Sequence, residues 1–106
     1  MRDGLYKVEF ATPIGSGSGV VTLNSGHVGG GDSGLYYVGT YSIAGQNFTG
    51  QVQTNQHTVG FDSVFGMTKV TINLSGVFEG DTANLTGAAD EVPDVKFEAR
   101  LTRLAD

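Results

Sequence analysis

The sequence contains no cysteine and only two prolines among its 106 residues. Without cysteine the chain has no disulfide, no thiolate metal site and no cysteine nucleophile, which is typical of a protein from a reducing compartment. Basic residues are also few, because six Lys and Arg stand against eleven Asp and Glu, and the net charge is −5. Since a phosphate backbone is bound by a concentrated basic surface, we expect no direct contact with nucleic acid.

Long apolar segments are missing as well. No uninterrupted apolar run approaches the roughly 20 residues of a transmembrane helix, so we expect no membrane segment. The first residues, Met1–Lys7, lack the apolar stretch of a secretory signal peptide, and we therefore expect a cytoplasmic protein. The length predicts a single domain over residues 1–106.

Glycine and β-branched or aromatic residues dominate instead, with 17 glycines in the chain. Glycine costs about 1 kcal/mol in a helix interior and β-branched side chains lose rotamer freedom there, so strands are predicted. Apolar and polar residues alternate most clearly at residues 95–101, and the segments 6–10, 48–52 and 70–78 alternate in the same way. This alternation is typical of antiparallel strands with one buried face.

Turn-forming residues recur at fairly even spacing and divide the chain into eight strands. The six short links are predicted at Pro13–Gly15, Asn24–Gly26, Asp32–Gly34, Ala44–Asn47, Glu79–Asp81 and Asp90–Asp94. Eight consecutive antiparallel strands remove their edges only by closing. We therefore predict an all-β fold, a single eight-stranded antiparallel up-and-down β-barrel with in-strand glycines at its tight bends. A two-sheet sandwich is the alternative.

The seventh link, at about residues 55–68, is long and apolar. Its segment His57–Met67 contains Val59, Phe61, Val64, Phe65 and Met67. Because solvated loops are seldom so apolar, we predict that a plug-like loop around residues 57–67 folds over an open end of the barrel.

The fourth strand carries apolar or aromatic residues on both of its faces. Within Leu35–Ile43, the alternation does not define which face points into the barrel. The other face is expected to meet a partner subunit, and we take Tyr36 and Val38 as the predicted dimer surface.

The stretch His27–Leu35 matches two functional motifs at once. Its glycine spacing fits the dinucleotide-binding fingerprint, and its GDSG at residues 31–34 matches the nucleophile sequence of chymotrypsin-like proteases. The first motif needs a following helix and the second needs a histidine base with an orienting acid, but a strand follows and no such triad is evident. We interpret Asp32-Ser33-Gly34 as a turn in which the glycine takes a positive φ. We predict no catalytic residue, no metal site, no cofactor and no enzymatic activity.

Several segments together resemble one known family. They are Asp3–Phe10, Gly17–Leu23, Gly30–Ser33 running into Tyr37–Tyr41, Ser63–Gly66 and Thr71–Gly76. They are similar to the GrlR-like family, small bacterial proteins named for a negative regulator of type III secretion. The resemblance implies a lipocalin-like barrel with an apolar cavity, a plug-like loop and a homodimer. It also implies a regulator that sequesters a transcriptional activator by protein contact, and the family's acidic run has no counterpart at Ile43–Gln46.

Two functions remain open. In the first, the chain is a non-enzymatic dimeric regulator whose protein partner, by the resemblance, is a transcriptional regulator. In the alternative, it is a lipocalin-like barrel that binds a small apolar ligand. The predicted cavity residues are Tyr6, Phe10, Val21, Leu23, Phe48, Val52, Ile72, Leu74, Phe97 and Leu101, with Phe61 and Phe65 as the lid.

Overall fold

The computed structural model describes residues 1–60 and 63–106. Its strands are β1 (Gly4–Thr12), β2 (Gly15–Asn24), β3 (His27–Gly31), β4 (Leu35–Ala44), β5 (Asn47–Gln56), β6 (Thr71–Glu79), β7 (Thr82–Ala89) and β8 (Val92–Ala105). Over the same residues the chain forms no helix of the length and apolar character that a membrane crossing requires.

Each strand pairs antiparallel with the next strand in the chain, and β8 returns to pair with β1. The result is a closed up-and-down barrel, which confirms the predicted fold. The β1–β8 seam runs from Leu5 opposite Ala105 to Ala11 opposite Glu98, with an irregularity just after Leu5. Closure gives every strand two hydrogen-bonded neighbours, so no strand is left at an open edge of the sheet.

The alternation in the sequence separates the inward from the outward side chains of each strand. In β1, for example, Tyr6 and Val8 are buried while Lys7 and Glu9 are exposed. The same separation around the barrel produces one core. Its buried apolar residues are Tyr6, Val8, Val21, Leu23, Val28, Leu35, Tyr37, Phe48, Phe65, Val70, Ile72, Ala83, Leu85, Ala89, Phe97, Ala99 and Leu101.

Inward-facing glycines allow neighbouring strands of the barrel to approach closely. A Cβ atom added at Gly39 would lie 2.0 Å from the carbonyl oxygen of Gln51, and one at Gly87 would lie 1.9 Å from that of Asn73. Non-bonded carbon and oxygen atoms do not come so close, so this backbone spacing admits only glycine at both positions. Glycine at these two in-strand positions therefore serves the close approach of neighbouring strands.

The β3–β4 turn differs from its prediction in one respect. Gly26, Gly45 and Gly80 have positive φ angles of 87°, 63° and 60°, but Gly34 is not among the positive-φ glycines. The predicted positive φ at Gly34 is therefore wrong. The turn is held instead by the Asp32 carboxylate, which accepts hydrogen bonds from the backbone amides that follow it.

The β7–β8 link is shorter than predicted. The sequence placed it at Asp90–Asp94, whereas β8 already begins at Val92 and includes Pro93. The pairing of β7 with β8 is irregular between Gly87 and Ala89, and such an irregularity accommodates a proline that cannot donate a ladder hydrogen bond.

The two ends of the barrel carry different links. The loop end is formed by the β1–β2, β3–β4, β5–β6 and β7–β8 links, and it carries the long β5–β6 connection. The terminal end, opposite to it, is formed by the start of β1, the end of β8 and the three remaining turns.

Candidate functional site

The barrel contains a cavity of about 320 Å³. All eight strands contribute to its wall, because inward side chains of a small barrel converge on its axis. This volume lies at the lower end of the range of roughly 300–1,000 Å³ that is typical of small-molecule pockets. Ser16 and Ser18 are exposed and also line the cavity, which therefore reaches solvent at the loop end.

Ten of the twelve predicted cavity and lid residues lie on this wall. They are Phe10, Val21, Leu23, Phe48, Val52, Phe65, Ile72, Leu74, Phe97 and Leu101. Of the other two, Tyr6 is buried elsewhere and Phe61 lies outside the described residues.

Tyr6 closes the terminal end of the barrel instead of lining the cavity. Its side chain is fully buried, and its hydroxyl donates a hydrogen bond to the backbone carbonyl of Arg2 at 2.5 Å. Arg2 in turn forms an ion pair with Asp81 in the β6–β7 turn, at 2.9 Å. Burial raises the pKa of the Tyr6 hydroxyl, which keeps it protonated as a donor. Alternation predicted that Tyr6 points inward, but it carries no information about position along the barrel axis.

The wall also contains residues that the sequence analysis did not select. Val8 and Ala99 belong to alternating segments that were already recognised, so the same pattern could have found them. Val28 lies in a short glycine-rich strand and Leu35 in the strand with two apolar faces. For those two strands the pattern leaves the inward face undefined, and only the pairing with neighbouring strands decides it.

The long link covers part of the loop end. Phe65 is only 6% exposed, and its ring stacks on that of Phe97 with the centroids 5.4 Å apart. The Thr12 hydroxyl donates a hydrogen bond to the Val64 carbonyl at 2.6 Å, which attaches this segment to the end of β1. Val59, by contrast, is 88% exposed. Among the described residues, the covering role predicted for residues 57–67 is therefore limited to 63–65, which line the cavity.

A polar group interrupts the apolar wall at the loop end. One carboxylate oxygen of Asp32 accepts hydrogen bonds from the backbone amides of Gly34 and Leu35, at 3.0 and 2.9 Å. The other oxygen accepts a hydrogen bond from the hydroxyl of Tyr37, which projects inward from β4. The Tyr37 ring packs edge-to-face against Phe10, with the centroids 6.2 Å apart. Asp32 and Tyr37 both line the cavity, and we call them the polar pair.

The protonation states of the polar pair follow from these contacts. Burial by itself raises the pKa of Asp32, but the hydrogen bonds from Tyr37 and from the amides of Gly34 and Leu35 outweigh it and hold the pKa below its ordinary value. Burial, the hydrogen bond to Asp32 and its charge all raise the pKa of Tyr37. At neutral pH the polar pair is therefore a carboxylate and a neutral phenol. Of the described cavity-lining residues, Asp32 is the only charged one.

Residues Asp32-Ser33-Gly34 of the GDSG motif form the β3–β4 turn, as the sequence predicted, and Gly31 ends β3. Ser33 lies in that turn, while the ring of His57 makes other contacts: Nε2 is 2.9 Å from the carbonyl oxygen of Asp32, and Nδ1 is 2.8 Å from the hydroxyl oxygen of Thr58. His27 begins β3, at the terminal end of the barrel. A dinucleotide-binding fingerprint needs a helix directly after its glycines, but here the glycine-rich stretch is followed by strand β4. Within residues 1–60 and 63–106, no group of three His, Asp or Glu side chains is placed to hold a metal ion.

The predicted dimer residues lie on the outer surface. Tyr36 and Val38 are 41% and 47% exposed, so the face of β4 that carries Leu35 and Tyr37 points inward. Val20, which is 44% exposed, is aligned with Tyr36 through Gly31 of the intervening β3. We call Val20, Tyr36 and Val38 the apolar surface row.

Comparison with known proteins found no family model and no curated protein that matches the chain. The fold and the site define its class by geometry. The protein is a small closed eight-stranded antiparallel barrel, with an apolar cavity inside and a polar pair at the loop end.

Proposed function

We propose that this protein binds a small apolar molecule inside its barrel. The supporting observation is the cavity of about 320 Å³, whose wall consists mainly of aliphatic and aromatic side chains. An apolar cavity of this size, left empty, lowers the stability of the fold by on the order of several kcal/mol, because the side chains that line it lack dispersion contacts on one side. An apolar occupant restores those contacts. It can enter at the loop end, where the cavity reaches solvent beside the exposed Ser16 and Ser18.

Binding of a neutral fluorescent dye tests this proposal. N-phenylnaphthylamine is apolar and uncharged, and its emission rises on leaving water. We expect saturable binding by the purified chain at one site. Val21→Trp places a large ring in the cavity, where Val21 is 5% exposed, and is expected to weaken dye binding at least about tenfold.

The neighbouring residue supplies the matched control. Val20→Trp introduces the same ring on the outer surface, because Val20 points away from the cavity. This variant should bind the dye as the parent does. Absence of saturable binding by the parent chain, or equal weakening in two folded variants, would contradict a binding site inside the barrel.

A second candidate function is regulation by protein contact as a homodimer, of the kind that the GrlR-like resemblance implies. It is favoured by the apolar surface row and by its surroundings, since β2, β3, β4 and β5 contain no Lys, Arg, Asp or Glu. Two copies that each carry a net charge of −5 repel one another least through such a face. This candidate predicts a dimer in solution and co-purification of a transcriptional regulator in fixed proportion. A monomer that binds only small molecules would exclude it.

A further inference from the structure

The polar pair divides the cavity into two chemically different parts. The inner wall is apolar, with Phe48 and Leu74 among its residues, whereas the loop end presents the Asp32 carboxylate and the Ser33 hydroxyl. An occupant that fills the cavity therefore has its body against aliphatic and aromatic groups and one end beside Asp32. The chemistry of that end is set by what Asp32 can still accept.

The hydrogen bonds from the part of the chain that the structure describes leave Asp32 with unused acceptor capacity. Each carboxylate oxygen can accept about two hydrogen bonds. Counting donors from residues 1–60 and 63–106, the oxygen that faces Gly34 and Leu35 accepts two bonds, whereas the one that faces Tyr37 accepts a single bond. The Tyr37 hydroxyl donates a hydrogen bond to Asp32, so the carboxylate is already held in place. A further hydrogen bond to the second oxygen therefore requires no bond of the turn to break.

The charge that the described cavity wall carries is negative. Asp32 is the only charged residue of the described cavity wall, and the chain as a whole carries a net charge of −5. Charges in a partly dry cavity interact more strongly than charges at an open surface. An anionic end group therefore meets repulsion from the Asp32 carboxylate at the loop end, while an ammonium or hydroxyl group meets an acceptor.

We propose that the cavity selects a small apolar molecule whose polar end is neutral or cationic and donates a hydrogen bond to Asp32, and that it discriminates against carboxylates. This inference rests on the proposed function of the barrel. It narrows the ligand class to molecules such as apolar alcohols and amines, and it excludes fatty acids as preferred ligands.

Three ligands with the same tail test the proposal. Octylamine, octanol and octanoate differ in their end groups and share one alkyl chain, so differences in affinity report the polar end. We expect octylamine and octanol to displace N-phenylnaphthylamine, and octanoate to bind at least about tenfold more weakly than octylamine. Isothermal titration calorimetry of each ligand gives the dissociation constants directly.

A single substitution assigns the discrimination to the polar pair. Asp32→Asn removes the charge but keeps an oxygen that can accept from the turn amides, and it should bring octanoate and octylamine to within about threefold of each other. Asp94→Asn removes the same charge from an exposed residue of β8 that does not line the cavity, and it should leave the ratio unchanged.

The results distinguish a failure of ligand selection by Asp32 from a failure of ligand binding itself. If none of the three ligands and no dye binds, the proposed function fails. If octanoate binds the parent as tightly as octylamine, or if a folded Asp32→Asn variant keeps the parent's ratio, binding stands and the selection by Asp32 is wrong. Should Asp32→Asn not fold, the parent series and a second variant decide. Tyr37→Phe then serves as the second variant, and it should keep the discrimination because the carboxylate is retained.

Discussion

Replacement of Gly39 by alanine tests whether the closed barrel has the backbone spacing described above. The added Cβ atom would lie 2.0 Å from the carbonyl oxygen of Gln51 and 2.8 Å from the Cα atom of Val52. Real Cβ atoms essentially never show contacts under 3.0 Å, so β4 and β5 must separate locally by about 1 Å to accept it. Both obstructing atoms belong to the backbone, and no side-chain rotation relieves the overlap.

The magnitude follows from two costs. Overpacking of this kind costs about 1–3 kcal/mol, and each ladder hydrogen bond weakened where Gly39 faces Val52 adds about 1 kcal/mol. We expect Gly39→Ala to lower the free energy of unfolding by about 3 kcal/mol or more, a large part of the 5–15 kcal/mol that is typical of a domain. Urea unfolding followed by far-ultraviolet circular dichroism measures this difference.

Gly29→Ala is the matched control. Gly29 also lies within a strand, but the nearest atom to an added Cβ is the Thr22 hydroxyl oxygen at 3.8 Å, an ordinary contact. Alanine there restricts the unfolded chain and should leave stability unchanged or raise it by up to about 1 kcal/mol. If Gly39→Ala were within about 1 kcal/mol of Gly29→Ala, the strands would not approach as closely as the structure shows, and the requirement for glycine at position 39 would be refuted.

Three further predictions concern the loop, the outer surface and the polar pair. Phe65→Ser should speed dye release in stopped-flow measurements, because it removes the ring that stacks on Phe97; an unchanged rate would show that residues 63–65 do not retain the ligand. If the chain is a dimer, Tyr36→Glu combined with Val38→Lys should give monomers in sedimentation velocity, and a persistent dimer would place the interface elsewhere. The lowered pKa of Asp32 adds stability above the unfolded value of about 3.9, and this stability is lost as the pH falls through the folded pKa. The parent should therefore lose more stability than Asp32→Asn on acidification below about pH 4, and parallel curves would contradict the assigned hydrogen bonds.

The strands were predictable because one physical pattern specifies them. Residues such as Val8 and Phe97 alternate with charged neighbours, and burial of one face then fixes both the strand and its orientation. Closure followed from the number of consecutive antiparallel strands, because such strands remove their edges only by closing. The turn at Gly34 was predicted with the wrong backbone angle, because a carboxylate hydrogen bond at Asp32 can hold a turn without a left-handed residue.

The sequence predicted most of the apolar residues that line the cavity, but it did not predict the polar pair at the loop end. Tyr6 and Phe10 share one face of β1, yet only Phe10 lines the cavity, since position along the barrel axis depends on strand stagger, which the alternation does not encode. Asp32 was interpreted as a turn residue, which it is. Its contact with Tyr37 depends on which face of β4 points inward, and the apolar residues on both faces of that strand left this undefined.

Native mass spectrometry of the protein purified gently from its own cells tests the central claim most directly. If the barrel is a container for a small apolar molecule, the intact protein should carry one constant added mass that disappears in Val21→Trp and persists in Val20→Trp. A chain that carries no added small mass and is recovered instead with a protein partner in fixed proportion would contradict this account and favour regulation by protein contact.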